Sequence, residues 1–81
     1  MQNSEEKIMI LYQQRIYELS QIVGNIISSA KIRHITNDNG NIIKTEYFYL
    51  GEWKTAEEIK EMIIDRDYRI KQIREILGIE V

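Results

Sequence analysis

Residues 31–50 read KIRHITNDNGNIIKTEYFYL, two β-prone runs on either side of Asn37-Asp38-Asn39-Gly40-Asn41. Asn39-Gly40 suits both central positions of a type I′ turn, whose positive φ angles match the twist of paired strands. If those two residues form the loop, Asp38 faces Asn41 and the pairing follows by arithmetic. Ile35 meets Lys44, His34 meets Thr45, Arg33 meets Glu46, Ile32 meets Tyr47 and Lys31 meets Phe48. Arg33 opposite Glu46 is a favourable cross-strand pair, worth ~0.2–1 kcal/mol. One face then carries Ile32, His34, Thr36, Ile43, Thr45, Tyr47 and Tyr49. The other carries Lys31, Arg33, Ile35, Ile42, Lys44, Glu46, Phe48 and Leu50. Neither face is cleanly polar, and an isolated hairpin is marginal in water, so the ribbon needs cover.

Heptad seams flank the ribbon on both sides. Met9, Tyr12, Ile16, Leu19, Val23, Ile26 and Ala30 step alternately by three and four, and so do Ala56, Ile59, Ile63, Arg66, Ile70, Ile73 and Leu77. Such a repeat turns one narrow apolar stripe of a helix toward a partner helix. The first helix is expected over about residues 4–29, opening at Asn3 or Ser4, because Asn3 and Glu6 have capping-box spacing. Gly24-Asn25 raises the alternative of an end at Val23, but Ile26 and Ala30 keep the register and favour continuation. The second helix is expected over about residues 55–77, from the capping box Thr55-Ala56-Glu57-Glu58 to a left-handed cap at Gly78. Asp65 with Arg69 and Asp67 with Lys71 have the spacing of helical ion pairs.

The sequence therefore predicts an α+β fold in one domain over residues 1–81, ordered long helix, β-hairpin, long helix (α-β-β-α). Helices of this length are about 40 and 35 Å long, whereas a compact domain of this size is about 30 Å across. Apolar residues also lie off the seams: Ile10, Tyr17 and Ile27 on the first helix, and Met62, Ile64, Tyr68 and Ile76 on the second. Long rods with surplus apolar surface imply helices packed antiparallel and completing a bundle in a homodimer or larger homo-oligomer.

Composition narrows the class of function. The 81 residues are 43% hydrophobic and 30% charged, with no proline and no cysteine, so the chain is ordered and offers neither disulfide nor thiol chemistry. Met1-Gln2-Asn3-Ser4-Glu5-Glu6 lacks the basic start and apolar run of a secretion signal, and no stretch reaches the length of a membrane span. A cytoplasmic protein without membrane association is expected. The net charge of −2 supplies no general attraction for nucleic acid. Seventeen isoleucines against four leucines is a bias that AT-rich coding DNA produces, pointing to a low-GC bacterium or its phage.

Several constellations are candidates for chemistry. Arg66 interrupts the second seam, and with Arg69 one turn on it could clamp a phosphate or carboxylate; otherwise its stem packs and its head reaches solvent. Tyr47, Phe48, Tyr49 and Trp53 lie near Arg33, and aromatics beside cations can stack a base, although strands also use them for packing. Arg66, Arg69, Tyr47, Tyr49, Trp53 and Arg33 are therefore the candidate binding residues. His34 is the single histidine and reads as a hydrogen-bonded partner of Thr45. Glu57, Glu61 and Asp65 share a helix stripe and read as solvated carboxylates rather than metal ligands. No phosphate-binding loop or nucleophile motif occurs, so no enzyme, cofactor or metal is expected.

The expected function is stoichiometric binding by a homo-oligomer, in the manner of a phage or mobile-element inhibitor or regulator that blocks a protein target. Two alternatives belong to other classes. One is sequestration of an anionic nucleotide-like ligand in intersubunit pockets; the other is nucleic-acid binding by the basic side of the hairpin and the Arg69-Lys71-Arg74 segment.

Overall fold

A computed structural model describes residues 4–78. Its elements run α1 (Ser4–Ser29), β1 (Ile32–Thr36), β2 (Ile42–Tyr49), β3 (Glu52–Lys54), α2 (Ala56–Arg66) and α3 (Tyr68–Leu77). The fold is α+β, and the strands form one antiparallel sheet in the order β1-β2-β3. The capping box expected at Asn3 lies outside the described residues.

α1 continues through Gly24 to Ser29 because its seam keeps the same face toward the other helices on both sides of the glycine. Leu19 and Val23 of that seam are buried, Tyr12, Ile16, Ile26 and Ala30 are half-buried, and Met9 is exposed. Tyr12 accepts a hydrogen bond from Arg74 Nε at 3.3 Å, and Arg15 meets Asp67, so α1 runs antiparallel to α2 and α3. No helix among the described residues is long and apolar enough to cross a membrane.

The single second helix expected over residues 55–77 is divided at Asp67. Asp67 is extended (φ −77°, ψ 127°), closing α2 through its N–H to Ile64 O and capping α3 through its carboxylate, which accepts from Ile70 N at 2.9 Å. An unbroken helix would aim Arg66 into the seam between Ile63 and Ile70. The extended residue resets the helical phase, leaving Arg66 exposed while Ile70 is fully buried. Asp65 and Asp67 consequently pair with Arg74 and Arg15, and not with Arg69 and Lys71. The two outer caps are as expected. Thr55 and Glu58 form a reciprocal capping box, and Gly78 is left-handed at φ 72°.

Ile32–Tyr47, Arg33–Glu46, His34–Thr45 and Ile35–Lys44 pair as the arithmetic requires, but the turn that produces them differs. Asn37 N–H donates to Asn41 O at 2.9 Å and Gly40 N–H donates to Asn37 O at 3.0 Å, making a three-residue loop in which only Gly40 has positive φ. The Asn37 side chain holds this corner, its Oδ1 accepting from Asn39 N and Asn41 N. The longer loop would slip the register by one residue. A bulge beside Ile35/Thr36 compensates, so Thr36 pairs with Ile42 in place of Ile43, and Ile42 joins the Thr36 face.

The third strand was not expected from the sequence. Tyr49 pairs with Glu52, Phe48 with Trp53 and Tyr47 with Lys54, across a two-residue turn in which Leu50 (φ 50°) and Gly51 (φ 82°) both have positive φ. The type I′ geometry anticipated at Asn39-Gly40 is thus found at Leu50-Gly51.

Candidate functional site

Alternation along β2 separates two environments. Tyr49 turns toward the helices, lining a cleft of about 270 Å³ with Leu19, Ile22, Met62, Ile63 and Arg66. Tyr47 shares the Tyr49 face and is half-buried between Ile32 and Lys54 in the sheet. The opposite face carries Arg33, Lys44, Glu46 and Phe48, joined by Trp53 through its pairing with Phe48.

A cation–aromatic cluster forms on that second face. The Arg33 guanidinium lies 4.5 Å from the Trp53 ring centre, and the Phe48 and Trp53 rings stand 5.3 Å apart at 56°. Such tilted ring and cation–π contacts are each worth ~0.5–1.5 kcal/mol. Arg33 Nε and Nη2 both donate to Glu46 Oε1, at 2.9 and 2.6 Å, while Lys44 Nζ reaches Oε2 at 3.3 Å. Glu46 is buried beneath them at 5% exposure, and these hydrogen bonds, that from Arg33 first, hold its carboxyl below the usual range against the opposing effect of burial. Phe48, Arg33 and Lys44 stay largely exposed. The cluster is thus an accessible aromatic surface whose one carboxylate is neutralised from both sides.

The remaining candidate residues lie elsewhere. Arg66 shares the helix–ribbon cleft with Tyr49, but Arg69 lies in a separate groove with Leu11, Gln14, Gln72, Ile73 and Ile76. The two arginines thus border different grooves, on either side of the break at Asp67. Between them, Arg15 grips Asp67 through Nε (3.0 Å) and Nη2 (2.6 Å), and it also pairs with Glu18. Those carboxylates, Asp67 first, raise the Arg15 pKa, and Arg15 in turn lowers that of Asp67. The charge in this cleft is largely spent on fold.

On the ribbon, Arg33 and Lys44 are committed to Glu46, and Lys54 to Glu52 at 3.0 Å. His34 Nδ1 lies 3.1 Å from Thr45 Oγ1, so the imidazole is a ribbon hydrogen-bonding group. Glu57, Glu61 and Asp65 are exposed, and among the described residues no group of three or more His, Cys, Asp or Glu side chains converges to hold a metal ion. Buried side-chain nitrogens and oxygens all have partners among the described residues.

The Phe48–Trp53 pairing was missed in the sequence reading because β3 was missed, and Lys44, already placed on the Arg33–Glu46 face, was not counted among the candidate residues. The available signal was Gly51, two residues before Trp53, and it was masked by leucine at the first turn position. The Arg15–Asp67 pair, spanning two distant helices, had no local signal. No family model, curated protein or solved structure matches the chain.

Proposed function

We propose that this chain is a small non-catalytic binding protein that assembles with copies of itself through its helices and blocks a protein target with its ribbon. The observation carrying the target-binding half is the exposed Arg33–Trp53–Phe48 cluster. Tryptophan, arginine and other aromatics dominate the energetic centres of protein interfaces, since they offer large area with few rotamers to freeze. Exposed Leu50, Ile42 and Ile43 add apolar surface on the same ribbon.

Self-association is supported by how little the lone chain buries. Among the described residues only Leu19, Val23, Ile59 and Ile70 are buried apolar side chains, while Ile10, Leu11, Tyr17, Ile22, Tyr68 and Ile76 are exposed on the helices. The radius of gyration is 16.5 Å, with extents of 56 × 25 × 22 Å. A compact chain of this length would have a radius of gyration of about 12 Å. An elongated helical unit with so small a core fits a component of a bundle better than a finished domain.

The anionic-ligand alternative draws on the cleft holding Tyr49 and Arg66, but Arg15 there is already neutralised. Nucleic-acid binding is disfavoured because pairing within the ribbon reduces the charge available to release counterions.

The test compares wild-type and Phe48→Ala proteins as immobilised baits in host extract, with thermal melting to verify that the variant folds. The expected result is one protein retained in stoichiometric amount by wild type and at least tenfold less by the variant. Equal retention would remove the ribbon cluster from the binding surface. A nucleotide that binds the wild type in calorimetry, with no protein retained, would favour the ligand reading instead.

A further inference from the structure

α1 carries a second heptad stripe that nothing among the described residues covers. Ile10, Gln14, Tyr17, Gln21, Gly24 and Ser28 step alternately by four and three and are all exposed. At 3.6 residues per turn they fall within a band about 80° wide, opposite the buried seam. Tyr17 is 67% exposed.

Two properties set this stripe apart from an ordinary solvated face. The first is the absence of charge. The outward side of a surface helix is where charged residues normally gather, yet between Lys7 and Lys31 the only ionic residues are Arg15 and Glu18. Both lie off the stripe and pair with each other, and Arg15 also with Asp67.

The second property is Gly24. Glycine is the poorest helix former after proline, and this one sits well inside a 26-residue helix. Its φ is not positive, and a Cβ added there would meet nothing within 4 Å. Neither backbone conformation nor packing within the chain calls for glycine at this position. Across the stripe its place is regular, since Ile10 lies seven residues before Tyr17 and Gly24 seven after.

We propose that a second copy of the chain covers this stripe. The two α1 helices lie antiparallel about a two-fold axis at Tyr17, with each Ile10 seated over the partner's Gly24. This rests on the reading that the chain self-associates, and it specifies the surface and the order. The antiparallel arrangement follows from size: a parallel pair would set Ile10 against Ile10 and leave a gap where Gly24 meets Gly24. Neutrality suits a two-fold contact, in which any net charge would meet its own sign.

The chain as a whole also exposes more surface than a finished monomer: 6217 Å², against about 5,100 Å² for a folded monomer of its mass. That surplus, spread over the molecule, leaves room for a partner surface of the roughly 800 Å² typical of a stable interface.

The test is sedimentation equilibrium on wild type and Gly24→Leu, together with oxidative cross-linking of an equimolar mixture of Ile10→Cys and Gly24→Cys chains in the otherwise cysteine-free protein. Leucine raises helix propensity in the lone chain but fills the space meant for Ile10. The expected result is a wild-type dimer, at least tenfold weaker association of Gly24→Leu with undiminished helix content, and a disulfide mainly between the two different variants. A wild-type dimer that Gly24→Leu leaves unchanged would overturn this surface while assembly stands. Cross-links mainly between identical chains would overturn the antiparallel order. A wild-type monomer at micromolar concentration would overturn both this interface and self-association. Should Gly24→Leu fail to fold, the cysteine mixture decides alone.

Discussion

Leu50 holds a backbone conformation that L-residues with bulky side chains avoid, at φ 50°, while its side chain is 67% exposed. The left-handed region costs such a residue ~1–2 kcal/mol, and asparagine tolerates it better. Leu50→Asn should therefore raise stability by about 1 kcal/mol in urea denaturation. A loss of stability would mean that the leucine side chain makes a contact worth more than the strain. Glu46 yields a second test at this scale. Its carboxyl pKa is lowered from the ordinary 4.5, with Arg33 the largest cause. Its contribution is accordingly present above about pH 4.5 and lost as pH falls through the lower folded value. Trp53 is the single tryptophan and lies under Arg33. Its fluorescence should change in that acid window, and Glu46→Gln should abolish the transition. An identical acid transition in Glu46→Gln would dissociate the tryptophan signal from this carboxylate. Arg33–Glu46 was legible as a pair because cross-strand partners follow from register; Trp53 above the same arginine was not, because it depends on a strand hidden behind an unfavourable turn residue.

At the scale of elements, Asp67 and Asn37 each decide where a segment ends. Asp67 closes one helix and caps the next. Asparagine can keep the cap while removing the charge, and alanine removes both. Asp67→Ala should therefore be less stable than Asp67→Asn by about 1 kcal/mol, the usual worth of an N-cap. Equal stabilities would show that the Arg15 ion pair, rather than the cap, makes the break. Asn37 accepts two backbone N–H groups at the turn. Asn37→Ala should cost ~1 kcal/mol and lower amide exchange protection along β1 and β2; unchanged protection would place the register under control of the bulge alone. The expected register and the observed one agree at Ile35–Lys44 because a longer loop and a bulge offset each other. Agreement in pairing was thus reached through a different turn. Periodicity alone could not reveal the helix break, since the seam keeps heptad spacing through Arg66; the cost of aiming that guanidinium inward is a tertiary matter.

For the whole molecule, the exposed helix residues and the 56 Å length are the features on which the proposed self-association rests. If folding is linked to association, the melting temperature should climb as the protein is concentrated from micromolar to millimolar. A melting temperature constant over that range would indicate that the lone chain is self-sufficient. Lower pH should also weaken the fold, because the depressed carboxyls of Glu46, Glu58 and Asp67 all lose their partners' support when protonated. The sign is the same for all three: stability held above the unfolded values of 4.5 and 3.8 falls as the lower folded values are crossed.

Local pattern was enough to determine α1, the capping box at Thr55 and the left-handed cap at Gly78, whereas the β1–β2 partners from Ile32 to Ile35 agreed only because a bulge offset the longer loop. Each of the helical features is set by residues within one turn of a helix. Tertiary structure alone decided the split at Asp67 and the gathering of Arg33, Phe48 and Trp53 on one face, and it revealed the third strand. At Asp67 local preference is overridden by a distant partner, Arg15 reaching it from α1, whereas β3 is a short-range hairpin concealed by Leu50 at a turn position that leucine disfavours. The physical reason is range, since a helix repeat or a cap is satisfied by neighbours in the chain, whereas the Arg15–Asp67 pair and the stacking of Arg33 on Trp53 need residues that folding brings together.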